Sequence, residues 1–127
     1  VAGMLNGEKT GCRPTVGDMY AGYTVIENKF TGNTTIGIVM TNACFDKSRL
    51  CKIAGMAQNG VARSIHPVHT SADGDSVYAM SVGTVQADMD MVGTLAADVM
   101  SEAILSAVKN AETAYGYISV NDFLTEY

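Results

Sequence analysis

From residue 34 onward the chain reads as two rhythms of apolar and polar positions in turn. Thr35-Ile36-Gly37-Ile38-Val39-Met40-Thr41 is a nearly unbroken β-branched apolar run, the pattern of a strand buried on both faces. Asp46 then stands where a helix N-cap belongs. Leu50, Ile53, Ala54, Ala57, Val61 and Ile65 follow at spacings of three and four, which predicts a helix with one apolar face, closed by Pro67. Asp73-Gly74-Asp75 reads as a turn, and Ser76-Val77-Tyr78-Ala79-Met80-Ser81-Val82 as a second strand. A second helix is expected from about Met91 to about Thr113. Leu95, Val99, Ala103, Ala107 and Val108, with Ile104 and Leu105 beside them, form its expected buried side, and Glu102, Lys109 and Glu112 its wet side.

Residues 1–33 lack such a rhythm. Gly3, Gly7, Gly11, Gly17, Gly22 and Gly32 interrupt the stretch every few residues, with Pro14 and polar residues between, so it reads as loop-rich connection. Tyr23-Thr24-Val25-Ile26 supplies an edge strand at most. The chain therefore divides into a loop-rich lead, 1–33, and a strand-helix-strand-helix unit, 34–127, of α/β character. No internal repeat or low-complexity tract is visible.

Composition narrows the classes of function. The net charge is −5 and there is no basic run, so a surface tracking nucleic-acid phosphates is not expected. Apolar residues make up 47% of the chain and charged ones 17%, the balance of a packed domain with part of its surface left for other chains. Cys12, Cys44 and Cys51 form neither a Cys-x-x-Cys pair nor a disulfide framework. They are expected as reduced, mostly packed thiols of a cytoplasmic protein, with the eight Met residues filling its core. No signal peptide is seen, and no apolar run approaches 18 residues, so no membrane contact is expected.

Candidate chemistry begins at Asn33-Thr34. A hydroxyl residue opens the apolar strand directly after a Gly-Asn pair. Were the bond before Thr34 cut, Thr34 would own an α-amine beside its hydroxyl. Such an amine has an unperturbed pKa of about 7.7–8.0 and can act as base for its own side chain. The same hydroxyl is able to make the cut by attacking the Asn33 carbonyl through an ester. Strands also begin with Thr for purely structural reasons, and Asn33-Thr34-Thr35 matches a glycosylation acceptor, though no secretory start accompanies it. Asp73-Gly74-Asp75 is either an ordinary hairpin turn or a pair of acids at the mouth of a strand adjacent to the one Thr34 opens. A calcium loop would need more oxygen ligands at set spacing. His66-Pro67-Val68-His69 is the histidine pair, for which structural or surface roles outrank zinc. Cys44 and Cys51 lie seven apart without a paired histidine pattern, which disfavours a thiol nucleophile.

Three stretches change these readings when taken together. They are Gly32-Asn33-Thr34-Thr35-Ile36-Gly37-Ile38-Val39 with Thr41-Asn42-Ala43, then Gly60-Val61-Ala62-Arg63-Ser64-Ile65-His66-Pro67-Val68-His69-Thr70, then Asp73-Gly74-Asp75-Ser76-Val77-Tyr78-Ala79-Met80-Ser81. In this order and spacing the chain resembles the DmpA-like family of L-aminopeptidase/D-esterases. That family also holds β-peptidyl aminopeptidases and the nylon-oligomer endohydrolase. The resemblance implies a four-layer α/β/β/α sandwich similar to N-terminal-nucleophile hydrolases, of which this chain would be the C-terminal part. It implies self-cleavage at Asn33-Thr34 and hydrolysis of small peptides or amino-acid amides through a Thr34 acyl-enzyme. Asp73 and Asp75 occupy the places of two residues that assist the nucleophile, and Thr with two Asp looks most like the nylon-hydrolase branch. No cofactor or metal is implied, and relatives assemble as homo-oligomers. The family's α portion is much longer than the 33 residues before Thr34 and carries oxyanion-hole and pocket residues, so a missing α portion of the same precursor is the expected partner. The alternative is a binding or assembly module that keeps the fold without catalysis.

Overall fold

A computed structural model of the chain describes residues 4–5, 12–13, 15–21 and 34–125. Asn33 and the stretch Tyr23–Ile26 lie outside these residues. In the lead segment, β1 (Met4–Leu5) pairs antiparallel with β2 (Cys12–Arg13), and α1 spans Thr15–Tyr20, so short regular elements occur within the glycine-punctuated stretch.

The strand-helix-strand-helix order is present. β3 (Ile36–Ala43) is followed by α2 (Lys47–Ser64), β4 (Ser76–Val85) and α3 (Met89–Asn110), with a short α4 (Val120–Thr125) at the end. β3 and β4 are parallel, Ile36 opposite Ser76 through Thr41 opposite Ser81, with an irregularity between Thr41 and Ala43. Parallel neighbours need a crossover, and α2 supplies it. This pairing excludes the hairpin reading of Asp73-Gly74-Asp75, which instead ends the loop from α2 into β4.

Both long helices begin as the sequence dictates. Asp46 caps α2 by accepting from the Arg49 N–H at 2.9 Å, and Asp88 caps α3 by accepting from Met91 at 2.9 Å. α2 ends at Ser64, with Ile65 extended as its C-cap, two residues before Pro67. At the C-terminal end, Asp122 accepts from Thr113 and Ser119, and those hydrogen bonds hold its carboxyl below the usual carboxylate range.

Ala43, Phe45, Ile53, Ala57, Val61, Ala96 and Met100 form the core, with Ile53 and Val61 fully buried. α2 packs on α3 closely enough that a methyl group at Gly60 would stand 2.1 Å from the Ala97 carbonyl oxygen. Across this contact the Ser64 and Ser101 hydroxyls hydrogen-bond at 2.7 Å, and Arg63 pairs with Asp98.

Three expectations are corrected. β3 is buried on one face only: Gly37, Val39 and Ala43 turn to the core, while Ile36, Ile38 (63% exposed) and Met40 turn outward beside Tyr78, Met80 and Val82 of β4. An unbroken apolar run does not distinguish a face covered by this unit from one left for something else. The buried stripe of α3 is Gly93, Ala96, Ala97 and Met100, with Ile104 half-buried; Leu95 (59% exposed), Val99, Ala103 and Ala107 lie outside it. Small residues win the helix–helix contact because they let the two backbones approach. Glu102, Lys109 and Glu112 are exposed as expected. Finally, Cys44 and Cys51 are exposed rather than packed, Cys51 bordering a shallow groove with Lys47 and Tyr78. Met19, Met40, Met80 and Met91 are likewise exposed, and Met100 is the methionine in the core.

By length and composition α3 would suffice to cross a membrane, although Asp98 and Glu102 interrupt it. Asp88 caps its start, and one stripe of it packs along α2 while Met91, Leu95 and Val99 stay exposed.

Candidate active site

The register of the parallel pair builds the site. With Ile36 opposite Ser76, the two residues before each strand also lie side by side, Thr34-Thr35 against Gly74-Asp75. The ladder continues one step outward, the Ser76 N–H donating to the Thr35 carbonyl at 3.0 Å. Thr34 is exposed at this strand mouth. Its hydroxyl lies directly over Gly74, where a Cβ would come within 2.9 Å of Thr34 Oγ1.

The two acids do different things. The Asp75 side chain is 7% exposed, and its Oδ1 accepts from the Thr35 N–H at 2.8 Å, fixing the backbone immediately after Thr34. Its Oδ2 is buried and has no hydrogen-bond partner among the described residues; it lies 3.2 Å from His69 Nδ1 without hydrogen-bond alignment. The Asp73 carboxylate turns into its own loop, where Oδ2 accepts from the Thr70 N–H at 2.6 Å while the Asp73 N–H donates to the Thr70 carbonyl at 3.1 Å. This reciprocal pair makes a compact turn that delivers Gly74 and Asp75 to the strand mouth. Among the described residues, no hydrogen bond joins the Thr34 hydroxyl to either carboxylate.

Of the residues singled out from sequence, Thr34, Asp73 and Asp75 thus come together at one sheet end, and Asn33 lies outside the described residues. Cys44 stands at the opposite end of β3. His66 is exposed, whereas His69 reaches Asp75 from a left-handed backbone at φ 57°. The approach of His69 carries no spacing signal, because it depends on the path of the loop from 65 to 75. The two shallow apolar grooves, one containing Met40, Ala96 and Val99 and the other Lys47, Cys51 and Tyr78, include neither Thr34 nor the acids in their walls. Among the described residues, the strand mouth thus presents the exposed Thr34 hydroxyl and the buried Asp75 carboxylate.

A hydroxyl residue thus opens the strand, and a carboxylate is locked to the next backbone amide. The chain belongs to peptidase family S58, whose model matches residues 2–120. It is 34% identical over 120 residues to an uncharacterized aminopeptidase of Mycobacterium leprae, covering 82% of this chain and 33% of that protein. A similar uncharacterized aminopeptidase of Mycobacterium tuberculosis is 33% identical over 105 residues, covering 71% and 30%. A 6-aminohexanoate-oligomer endohydrolase of Kocuria sp. is 30% identical over 91 residues, covering 61% and 26%. The chain spans about a third or less of the length of these relatives. The family to which the sequence blocks pointed is therefore the right one, and the mixed α/β architecture agrees with it.

Proposed function

We propose that this chain is the C-terminal part of a self-processing amidohydrolase, cut between Asn33 and Thr34, in which Thr34 is the nucleophile. The observation that carries this reading is the placement of the Thr34 hydroxyl over Gly74, with the following amide locked to Asp75. Attack of Thr34 Oγ1 on the Asn33 carbonyl would break the peptide bond and leave Asn33 as an ester on Thr34, with the former amide nitrogen as a free α-amine. Water then releases Asn33 as a carboxylate. In turnover, the α-amine takes the hydroxyl proton as Oγ1 attacks a substrate amide, the leaving amine departs protonated, and water hydrolyses the acyl-enzyme. Asp75 holds the Thr34-Thr35 backbone in place for both reactions. Asp73 shapes the loop that presents Asp75 and Gly74.

The substrate class is a small peptide or amino-acid amide, supported by relatives named aminopeptidase and oligomer endohydrolase. Oxyanion donors and pocket walls come from the preceding portion of the precursor, and one missing donor alone costs about 2.7–4 kcal/mol of transition-state stabilisation. The outward face of β3 and β4, Ile36, Ile38, Met40, Tyr78, Met80 and Val82, supports the sandwich. It is the inner face that a second sheet would cover. The same face is what favours the second reading, an assembly module without catalysis.

In the full-length protein, Thr34→Ala is expected to leave an uncut chain with no turnover of an amino-acid p-nitroanilide, and Thr34→Ser to retain part of the processing. Normal two-chain processing by Thr34→Ala would remove Thr34 from the mechanism.

A further inference from the structure

Asp75 is the most buried acid at the strand mouth, and only half of its carboxylate is accounted for. Oδ1 receives the Thr35 N–H at 2.8 Å. Oδ2 is shut away from solvent without a hydrogen bond among the described residues, an arrangement that costs free energy unless something nearby compensates it. His69 is what stands there, Nδ1 at 3.2 Å, its side chain 36% exposed on the outer side of the contact. The backbone at His69 is held in the left-handed region, φ 57°, which non-glycine residues adopt at a cost unless the surroundings require it. This backbone carries the His69 ring to within 3.2 Å of Asp75 Oδ2.

We propose that His69 is a positioning residue for the reaction, acting through Asp75. With its proton on Nδ1, a small turn of the ring aligns the N–H with Oδ2. The carboxylate is then gripped at both oxygens, by the Thr35 amide on one side and the imidazole on the other. Gripped in this way, Asp75 holds a fixed orientation and the Thr34-Thr35 backbone is fixed with it. The effect of His69 passes through one carboxylate. The inference rests on the Thr34 reading proposed above.

The test uses the full-length protein and two substitutions that both tolerate a left-handed backbone. His69→Gly removes the ring; His69→Asn puts an amide N–H close to the position of Nδ1. Self-cleavage should slow at least tenfold in His69→Gly and return to within about threefold of the parent in His69→Asn. In the processed material kcat should fall with KM little changed, and thermal unfolding should stay near that of the parent. Wild-type cleavage by His69→Gly, or equal slowing by both variants with unchanged unfolding, would overturn the role. A double-mutant cycle with Asp75→Asn covers poor folding of the glycine variant. His69→Asn and His69→Gly should differ when Asp75 is present and be indistinguishable when it is Asn, and a difference that survives Asp75→Asn refutes action through Asp75. Thr34→Ala separates the two proposals, since processing in that variant defeats the nucleophile reading whatever His69 does.

Discussion

Gly74 has no side chain, and the place where one would stand is crowded by the Thr34 hydroxyl, 2.9 Å from an ideal Cβ. A methyl group there would push Oγ1 aside or turn the threonine to another rotamer. Gly74 itself is exposed, so little packing is at stake. Gly74→Ala should therefore slow self-cleavage of the full-length protein about tenfold, equivalent to about 1.4 kcal/mol in the barrier, with little change in unfolding temperature. Cleavage at the parent rate would mean that the hydroxyl does not work from this position. The sequence suggested the trio of Thr34, Asp73 and Asp75 through the order of three motif blocks, and it placed both acids at the mouth of an adjacent strand. It did not separate their tasks. That Asp73 closes its own turn on Thr70 while Asp75 reaches the amide of Thr35 follows from backbone geometry, to which residue types are silent. Nor did it couple His69 to Asp75, six residues on.

The elements were legible where a local signal fixed them. Asp46 and the apolar spacing after it located α2, and the β-branched run located β3. Faces were harder to read. Leu95 and Val99 outrank Ala96 and Ala97 in hydrophobicity, yet the alanines face α2, because the close helix–helix approach admits small side chains and excludes large ones. Two glycines of α2 make this testable. Gly55 has no atom within 4 Å of an added Cβ, so Gly55→Ala should stabilise by about 0.5–1 kcal/mol through helix propensity alone. At Gly60 the same methyl meets the Ala97 oxygen at 2.1 Å, so overpacking of about 1–3 kcal/mol exceeds the propensity gain and Gly60→Ala should destabilise. Urea unfolding of the full-length protein reads both, and a stabilised Gly60→Ala would show that the helices are not in this contact.

At the scale of the whole molecule, the outward apolar face and the chain's length point the same way. A sheet with Ile36, Ile38, Met40, Tyr78, Met80 and Val82 exposed on one side carries the kind of apolar patch that marks an interaction surface. The relatives are about three or more times as long as the part this chain matches, and a second sheet from the rest of such a protein is the proposed cover. The apolar run of β3 already contained this information, since both faces were written as apolar; what it lacked was the identity of the cover. In the proposed mechanism Thr34 becomes a chain terminus by its own chemistry. Intact-mass spectrometry of the purified full-length protein tests it most directly. A fragment whose N-terminus is Thr34, absent from the Thr34→Ala variant, is the predicted result. A persistently intact chain, or a cut at any other bond, would contradict it.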